Sequence, residues 1–66
     1  MQITLNGESA DFPDDLTATR LIEQLELGGR RIAMEVNGEI VPRSRYTEYT
    51  FQPGDRVEIV HAIGGG

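Results

Sequence analysis

The sequence lacks most of the residue types that carry covalent or metal chemistry. It has no cysteine and no lysine, and its one histidine is His61. Without cysteine there is no disulfide, no thiol nucleophile and no thiolate metal site. Without lysine there is no Schiff-base or P-loop chemistry. No nucleophile–base pair stands out among the other residues. We therefore expect a protein that is not itself an enzyme and that binds neither a metal nor a cofactor.

Positive charge and long apolar runs are also scarce. Eleven acidic residues against six arginines give a formal net charge of −5, whereas binding to a phosphate backbone needs clustered positive charge. No stretch approaches the roughly 18 apolar residues of a membrane span. The opening residues lack the basic segment and apolar core of a signal peptide. We expect a cytoplasmic protein, monomeric when free, that contacts neither nucleic acid nor membrane.

The first part of the chain predicts a β-hairpin. In "QITLN", Ile3 and Leu5 alternate with polar residues, as in a half-buried strand. Asn6-Gly7 follows, and both residue types tolerate the positive φ of a two-residue hairpin turn. A second short strand is predicted from Ser9 to Phe12.

The stretch "LTATRLIEQLELGG" predicts a helix. Thr17 is a suitable N-cap because its hydroxyl can accept a bond from a free N–H of the first turn. Apolar side chains share one face of the helix, namely Leu21, Ile22 and Leu25. Gly28 or Gly29 is expected to supply the left-handed residue that ends the helix.

The second half of the chain predicts another hairpin and a final strand. "RIAMEVNGEIVP" turns at Asn37-Gly38, and Pro42 restricts the residues after it to an edge or a loop. "RSRYTEYTF" predicts a short helical turn and then a brief strand that ends at Phe51. In the last strand, "RVEIVHAI", the core-facing residues are Val57 and Ile59. Val60 then points to the opposite, exposed face.

This order of elements predicts a two-layer α+β domain with one helix packed on a mixed sheet of four to five strands. The helix face should meet apolar residues of several strands: Ile3, Leu5, Met34, Val57 and Ile59. If the first and last strands pair in parallel at the centre, the chain leaves the sheet from its middle strand. We expect a domain over residues 1–63 and a flexible C-terminal tail over residues 64–66.

The tail "GGG" has one reactive group, the α-carboxylate of Gly66. An enzyme can activate a carboxylate with Mg-ATP as an acyl-adenylate. Gly64, Gly65 and Gly66 have no side chains and could thread through a narrow channel to a buried nucleotide site. An exposed apolar residue beside such a tail suggests a partner-docking patch. The candidates are Val60, His61, Ala62 and Ile63.

Three segments together, "ITLNGE", "VNGEIVPRSR" and "GDRVEIVHAIGGG", resemble the ThiS family of ubiquitin-like β-grasp sulfur carriers. The resemblance spans the whole chain. It implies that a ThiF-type adenylyltransferase adenylates Gly66 with Mg-ATP. A persulfide donor then supplies the sulfur of a thiocarboxylate, and thiazole synthase takes that sulfur for the thiazole of thiamine.

Two alternatives to this function remain at the level of sequence. One is a sulfur carrier with the same tail chemistry but another acceptor, such as molybdopterin or a thiolated tRNA. The other is a passive β-grasp binding module whose tail is never activated.

Overall fold

Two Asn-Gly turns and one capped helix divide the chain into its elements. The structure, a computed structural model, describes residues 1–61, and within them it has five strands, one α-helix and one 3₁₀ turn. The elements are β1 (Gln2–Leu5), β2 (Glu8–Asp11), α1 (Ala18–Gln24), β3 (Ile32–Val36), β4 (Glu39–Val41), the 3₁₀ turn (Arg43–Arg45) and β5 (Arg56–His61).

The strands form one mixed sheet in the order β2-β1-β5-β3-β4. β5 is central and runs parallel to β1, with Thr4 opposite Arg56 and Leu5 opposite Val57. The other neighbours are antiparallel. The predicted parallel pairing of the first and last strands is confirmed. The residues directly after Pro42 form the 3₁₀ turn outside the sheet, in agreement with the predicted edge or loop.

Both predicted hairpin turns are confirmed. Asn6 and Gly7 have φ of 49° and 86°, and Asn37 and Gly38 have φ of 54° and 84°. Positive φ at both central residues defines the type I′ turn, whose twist matches that of the flanking strands. The turns therefore fix the register of each hairpin, with Leu5 opposite Glu8 and Val36 opposite Glu39.

The core lies between α1 and one face of the sheet. Its most deeply buried large side chains are Ile3, Leu21, Met34 and Val57, each at most 1% exposed. They come from the helix and from three different strands, so the core joins elements that are distant in sequence. The predicted contacts of the helix face are confirmed, with Leu5 and Leu25 only partly buried at the periphery.

The helix begins as predicted and ends earlier than predicted. Thr17 is the N-cap, and its Oγ1 accepts a hydrogen bond from the backbone N–H of Arg20 at 3.2 Å. The left-handed residue that ends the helix is Glu26, with φ of 58°. The backbone N–H of Leu27 then donates to the carbonyl of Ile22 at 3.0 Å, which is the long bond of a Schellman motif.

The prediction that Gly28 or Gly29 ends the helix was therefore wrong. Gly29 does have a positive φ, of 80°, but it belongs to the loop between α1 and β3. The earlier stop turns Leu27 back onto the core, against which it packs partly buried. This apolar contact offsets the strain of a non-glycine residue in the left-handed region.

The predicted strand ending at Phe51 was also wrong, although the helical turn before it is confirmed. Only an isolated bridge between Thr50 and Thr17 forms there. The backbone carbonyls of Tyr46 and Tyr49 instead accept hydrogen bonds at 3.1 and 2.9 Å from N–H groups in the first turn of α1. Those N–H groups have no partner within a helix, so this segment caps α1 and does not extend the sheet.

Two aromatic residues of this segment pack against each other. Tyr49 meets Phe51 edge-to-face, with ring centroids 5.4 Å apart and an interplanar angle of 73°. Phe51 is buried and Tyr49 is half-buried. Burial, followed by the negative charges of Asp55 and Glu39, raises the pKa of the Tyr49 phenol above its usual value. The fold therefore favours the neutral phenol over the phenolate.

Candidate docking surface

The end of β5 carries the described part of the predicted docking patch. Val60 is 59% exposed and His61 is exposed, whereas Val57 and Ile59 of the same strand are buried. The predicted facing of the last strand is therefore confirmed. The remaining predicted site residues, Ala62, Ile63, Gly64, Gly65 and Gly66, lie outside the described residues.

The sheet face opposite α1, which we call the open face, extends from Val60 towards the β4 edge. In register, Val60 lies opposite Ala33, Glu58 lies opposite Glu35, and Glu35 lies opposite Ile40. Ile40 is 62% exposed, and with Val60 it is one of two large apolar residues exposed among residues 1–61. The open face thus combines two apolar side chains with a pair of carboxylates between them.

Sequence reasoning did not identify Ile40 or the two glutamates. A signal for Ile40 was present, because strand alternation that turns Val41 to the core must turn Ile40 outward. The Glu35–Glu58 pair needed the register between β3 and β5, which the sequence does not state. Like charges directly opposite each other on neighbouring strands are destabilising, so the fold itself gains nothing from this arrangement.

The two hairpin turns hold β5 from both sides through asparagine side chains. Asn6 Oδ1 accepts a hydrogen bond from the backbone N–H of Ile59 at 2.9 Å. Asn37 Oδ1 accepts one from the N–H of Arg56 at 2.9 Å, and its Nδ2 donates to the buried carboxylate of Asp55 at 3.0 Å. These bonds fix the central strand at Arg56 and at Ile59, directly ahead of the exposed residues Val60 and His61.

Two kinds of feature are absent from the described residues, a cluster of metal-ligating side chains and a helix that could span a membrane. Within residues 1–61, no group of three or more His, Cys, Asp or Glu could hold a metal ion. No helix in the same range is long and apolar enough to cross a bilayer. His61 is exposed at the end of β5. The described part of the site is an exposed surface at the end of β5 that carries apolar and acidic side chains.

A model of the ThiS family matches residues 3–66 of this chain. The matched range includes both Asn-Gly hairpins, the open face and the three C-terminal glycines. The resemblance carried by the three sequence segments is therefore confirmed.

The curated relatives include sulfur carriers and thiazole synthases. The sulfur carrier protein ThiS of Escherichia coli is 32% identical over 66 residues, with 100% of both chains covered. A thiazole synthase of Paramagnetospirillum magneticum is 41% identical over the same length, and one of Magnetococcus marinus is 36% identical. The chain spans only 20% of each of these two thiazole synthases.

A solved structure has the same fold. The crystal structure of the thiamine biosynthesis protein ThiS from Geobacter metallireducens superimposes with a TM-score of 0.86 at 30% identity, and each chain is covered completely. The five-stranded sheet on one helix is thus the ubiquitin-like β-grasp that the resemblance implied. With a family model that matches nearly its whole length and a full-length relative 32% identical to it, the chain belongs to the ThiS family.

Proposed function

We propose that this chain is a sulfur carrier of thiamine biosynthesis, acting as a protein co-substrate of partner enzymes. The observation that carries the proposal is the family match that runs through residue 66 and so includes the three glycines. The full-length similarity to a sulfur carrier protein supports it. The similarity to two thiazole synthases supports the thiazole as the destination of the sulfur.

The chemistry takes place at the carboxylate of Gly66. A ThiF-type adenylyltransferase joins that carboxylate to the AMP portion of ATP and releases pyrophosphate, with magnesium held by the enzyme's nucleotide. The adenylate makes the acyl carbon electrophilic and gives it a good leaving group. The terminal sulfur of a persulfide donor attacks the acyl carbon and displaces AMP, which gives an acyl disulfide between donor and carrier. A thiol of the donor or of another partner then reduces that bond, forming a disulfide and releasing the thiocarboxylate that thiazole synthase consumes. The carrier contributes the carboxylate and the body by which each partner holds it.

We further propose that the open face docks on the activating enzyme while residues 64–66 enter its active site. Ordering three residues costs about 1–2 kcal/mol each. Full burial of a Val or Ile side chain gains about 1.5–3 kcal/mol. Val60 and Ile40 are 59% and 62% exposed. Burying their exposed surface on a partner would therefore gain a free energy of the same order as the ordering cost. The carboxylates of Glu35 and Glu58 lie between these two residues. These carboxylates would pair with a cationic group on the partner, and the pairing would favour the correct orientation.

The central test is intact-mass analysis after incubation with a ThiF-type enzyme, Mg-ATP and a persulfide donor. One oxygen of the carrier should be replaced by one sulfur, and fragmentation should place the change at Gly66. A chain that lacks residues 64–66 is the control. It should melt at the same temperature, because no side chain is lost from the core, and it should not be adenylated. An unchanged mass with an enzyme active on another carrier would favour a passive binding module.

Two substitutions separate docking from chemistry. Val60→Asp should fold, because the residue is exposed, and should weaken binding to the activating enzyme, since interface hot spots cost about 2 kcal/mol or more. Gly65→Val should bind nearly normally but form adenylate poorly, because a β-branched side chain restricts the backbone and adds bulk. Thr47→Asp places the same charge on an exposed loop and should change neither property.

The measurements are partner affinity and ATP–pyrophosphate exchange for each variant. If Val60→Asp binds as well as Thr47→Asp, the open face is not the docking surface. Normal adenylation of Gly65→Val would mean that the glycines are not required for threading.

A further inference from the structure

A second surface lies on the helix side of the sheet, away from the open face. A cleft of about 260 Å³ separates the C-terminal end of α1 from the 3₁₀ turn, and we call it the helix-end cleft. Its apolar lining comes from the helix, the loop after it, β3 and the residue after the 3₁₀ turn: Ile22, Leu27, Ile32 and Tyr46. All four belong to the core or pack against it, so the base of the cleft is continuous with the packed interior.

The rim of the cleft carries positive charge on an otherwise acidic protein. Arg30 and Arg43 both line it, and Arg43 Nη2 donates to the backbone carbonyl of Arg30 at 3.3 Å, which ties the two rim segments together. Within residues 1–61, neither guanidinium forms an ion pair with a carboxylate. Glu23 lies on the rim as well. On a chain with a net charge of −5, two arginines without a carboxylate partner beside an apolar base favour an acidic ligand.

Gly28, at the mouth of the cleft, is a glycine that the fold does not require. Its φ is not in the left-handed region, and a Cβ built on it would meet nothing within 4 Å. Glycine in an exposed loop without such a requirement costs stability through the entropy of the unfolded chain. The missing side chain leaves open space, which allows the backbone of a ligand to approach the loop closely.

The cleft is small for a ligand site. Its volume of about 260 Å³ lies just below the roughly 300–1,000 Å³ of sites for drug-sized molecules. An apolar side chain of a partner protein can rest on its base. Taken with its charge, the geometry points to a docking site for a short acidic segment of a partner protein. That segment places a leucine-sized side chain on the apolar base and a neighbouring carboxylate against Arg43 and Arg30.

The first experiment is an NMR titration of the full chain with a blocked pentapeptide of sequence Gly-Leu-Asp-Glu-Gly. Saturable shifts should appear at Ile22, Leu27, Gly28 and Ile32. Two matched peptides separate the contributions: one with alanine for leucine, the other with asparagine and glutamine for the two acids. Both should bind about tenfold more weakly, since one charge-assisted hydrogen bond or one buried side chain contributes about that factor. Absence of saturable shifts at millimolar peptide, or shifts on the open face instead, would overturn the proposal.

Substitutions then test the cleft itself. Gly28→Val should leave the melting temperature unchanged or raise it. It should weaken binding of the acidic peptide tenfold or more. Ser9→Val, which places the same side chain at an exposed position of β2 outside the cleft, is its control and should bind normally. Arg43→Gln should lower the affinity for the acidic peptide about tenfold. Arg20→Gln removes the same charge from an exposed helix position outside the cleft and should change that affinity little.

Two outcomes contradict the assigned occupant. If Arg43→Gln and Arg20→Gln lower the peptide affinity equally, the net charge of the protein explains binding and the cleft does not. If sedimentation shows that the free chain dimerises and that Gly28→Val abolishes the dimer, the occupant is a second copy. Neither outcome involves Gly66 or adenylation, so the sulfur-carrier proposal stands or fails separately.

Discussion

Replacing Glu26 by glycine should stabilise the fold. Glu26 occupies the left-handed position after α1 with φ of 58°, where a residue with a Cβ is destabilised by about 1–2 kcal/mol. Glycine adopts this conformation freely but loses about 0.5–1 kcal/mol more backbone entropy on folding. The expected net gain is about 1 kcal/mol, which for a domain of 66 residues corresponds to a rise of about 4–8 °C in melting temperature.

The control is Glu26→Ala, because glutamate at a helix C-terminus is also unfavourable to the helix dipole. Alanine removes that charge and keeps the strained backbone, so the difference between the glycine and alanine variants isolates the backbone effect. Thermal unfolding by circular dichroism and urea unfolding measure both. Equal stability of Glu26→Gly and Glu26→Ala would mean that this residue is not left-handed and that the helix ends elsewhere.

Three further predictions rest on the described contacts. Asn37→Ala removes two side-chain hydrogen bonds and places alanine at positive φ, so urea unfolding should show a loss of about 2–4 kcal/mol; Asn37→Gly, which relieves only the backbone, should lose less. Glu58→Lys should gain about 0.2–1 kcal/mol by pairing with Glu35, yet bind the activating enzyme more weakly; tighter binding would contradict a cationic contact. Tyr49 has a folded-state pKa above its unfolded value of 10.0, so its contribution to stability is present below that pH and lost as pH rises through the folded pKa. Tyr49→Phe should therefore unfold less readily in alkali than the parent chain, and identical alkaline profiles would contradict the burial of the phenol.

The facing of the strands could be predicted because one side of the sheet is buried. Alternation of Val57 and Ile59 with Glu58 and Val60 leaves one register that places apolar groups in the core. Asn-Gly is similarly specific, since few other pairs adopt positive φ twice. These signals are local in sequence and do not depend on which strand lies next to which.

The misplaced helix end and the false strand have a common physical cause. Each depends on partners that only the folded chain brings near. Leu27 turns back because the core offers it a contact, and the carbonyls of Tyr46 and Tyr49 are taken by the helix N-terminus. A glycine is a strong stop signal in isolation, but tertiary packing can overrule it at Glu26.

The asparagine side chains illustrate the limit of local reasoning most clearly. Sequence assigns Asn6 only to a turn, yet its side chain also accepts a hydrogen bond from the backbone N–H of Ile59, 53 residues away. The same limit applies to the site. The exposure of Val60 followed from alternation, whereas its grouping with Ile40 and the Glu35–Glu58 pair required the sheet order.

The two surfaces differ in chemistry as well as position. The open face is apolar and acidic, and the helix-end cleft is apolar and basic. They lie on opposite sides of the sheet and share no residue, so the two proposed surfaces do not overlap. Under the proposed function, a carrier activated by one enzyme and consumed by another must leave the first active site before its C-terminus enters the second. Separate docking surfaces would allow the second enzyme to hold the body before the first releases it, so the exchange would not need to pass through a free carrier. A single shared surface would make the two partners compete, and each transfer would require complete dissociation.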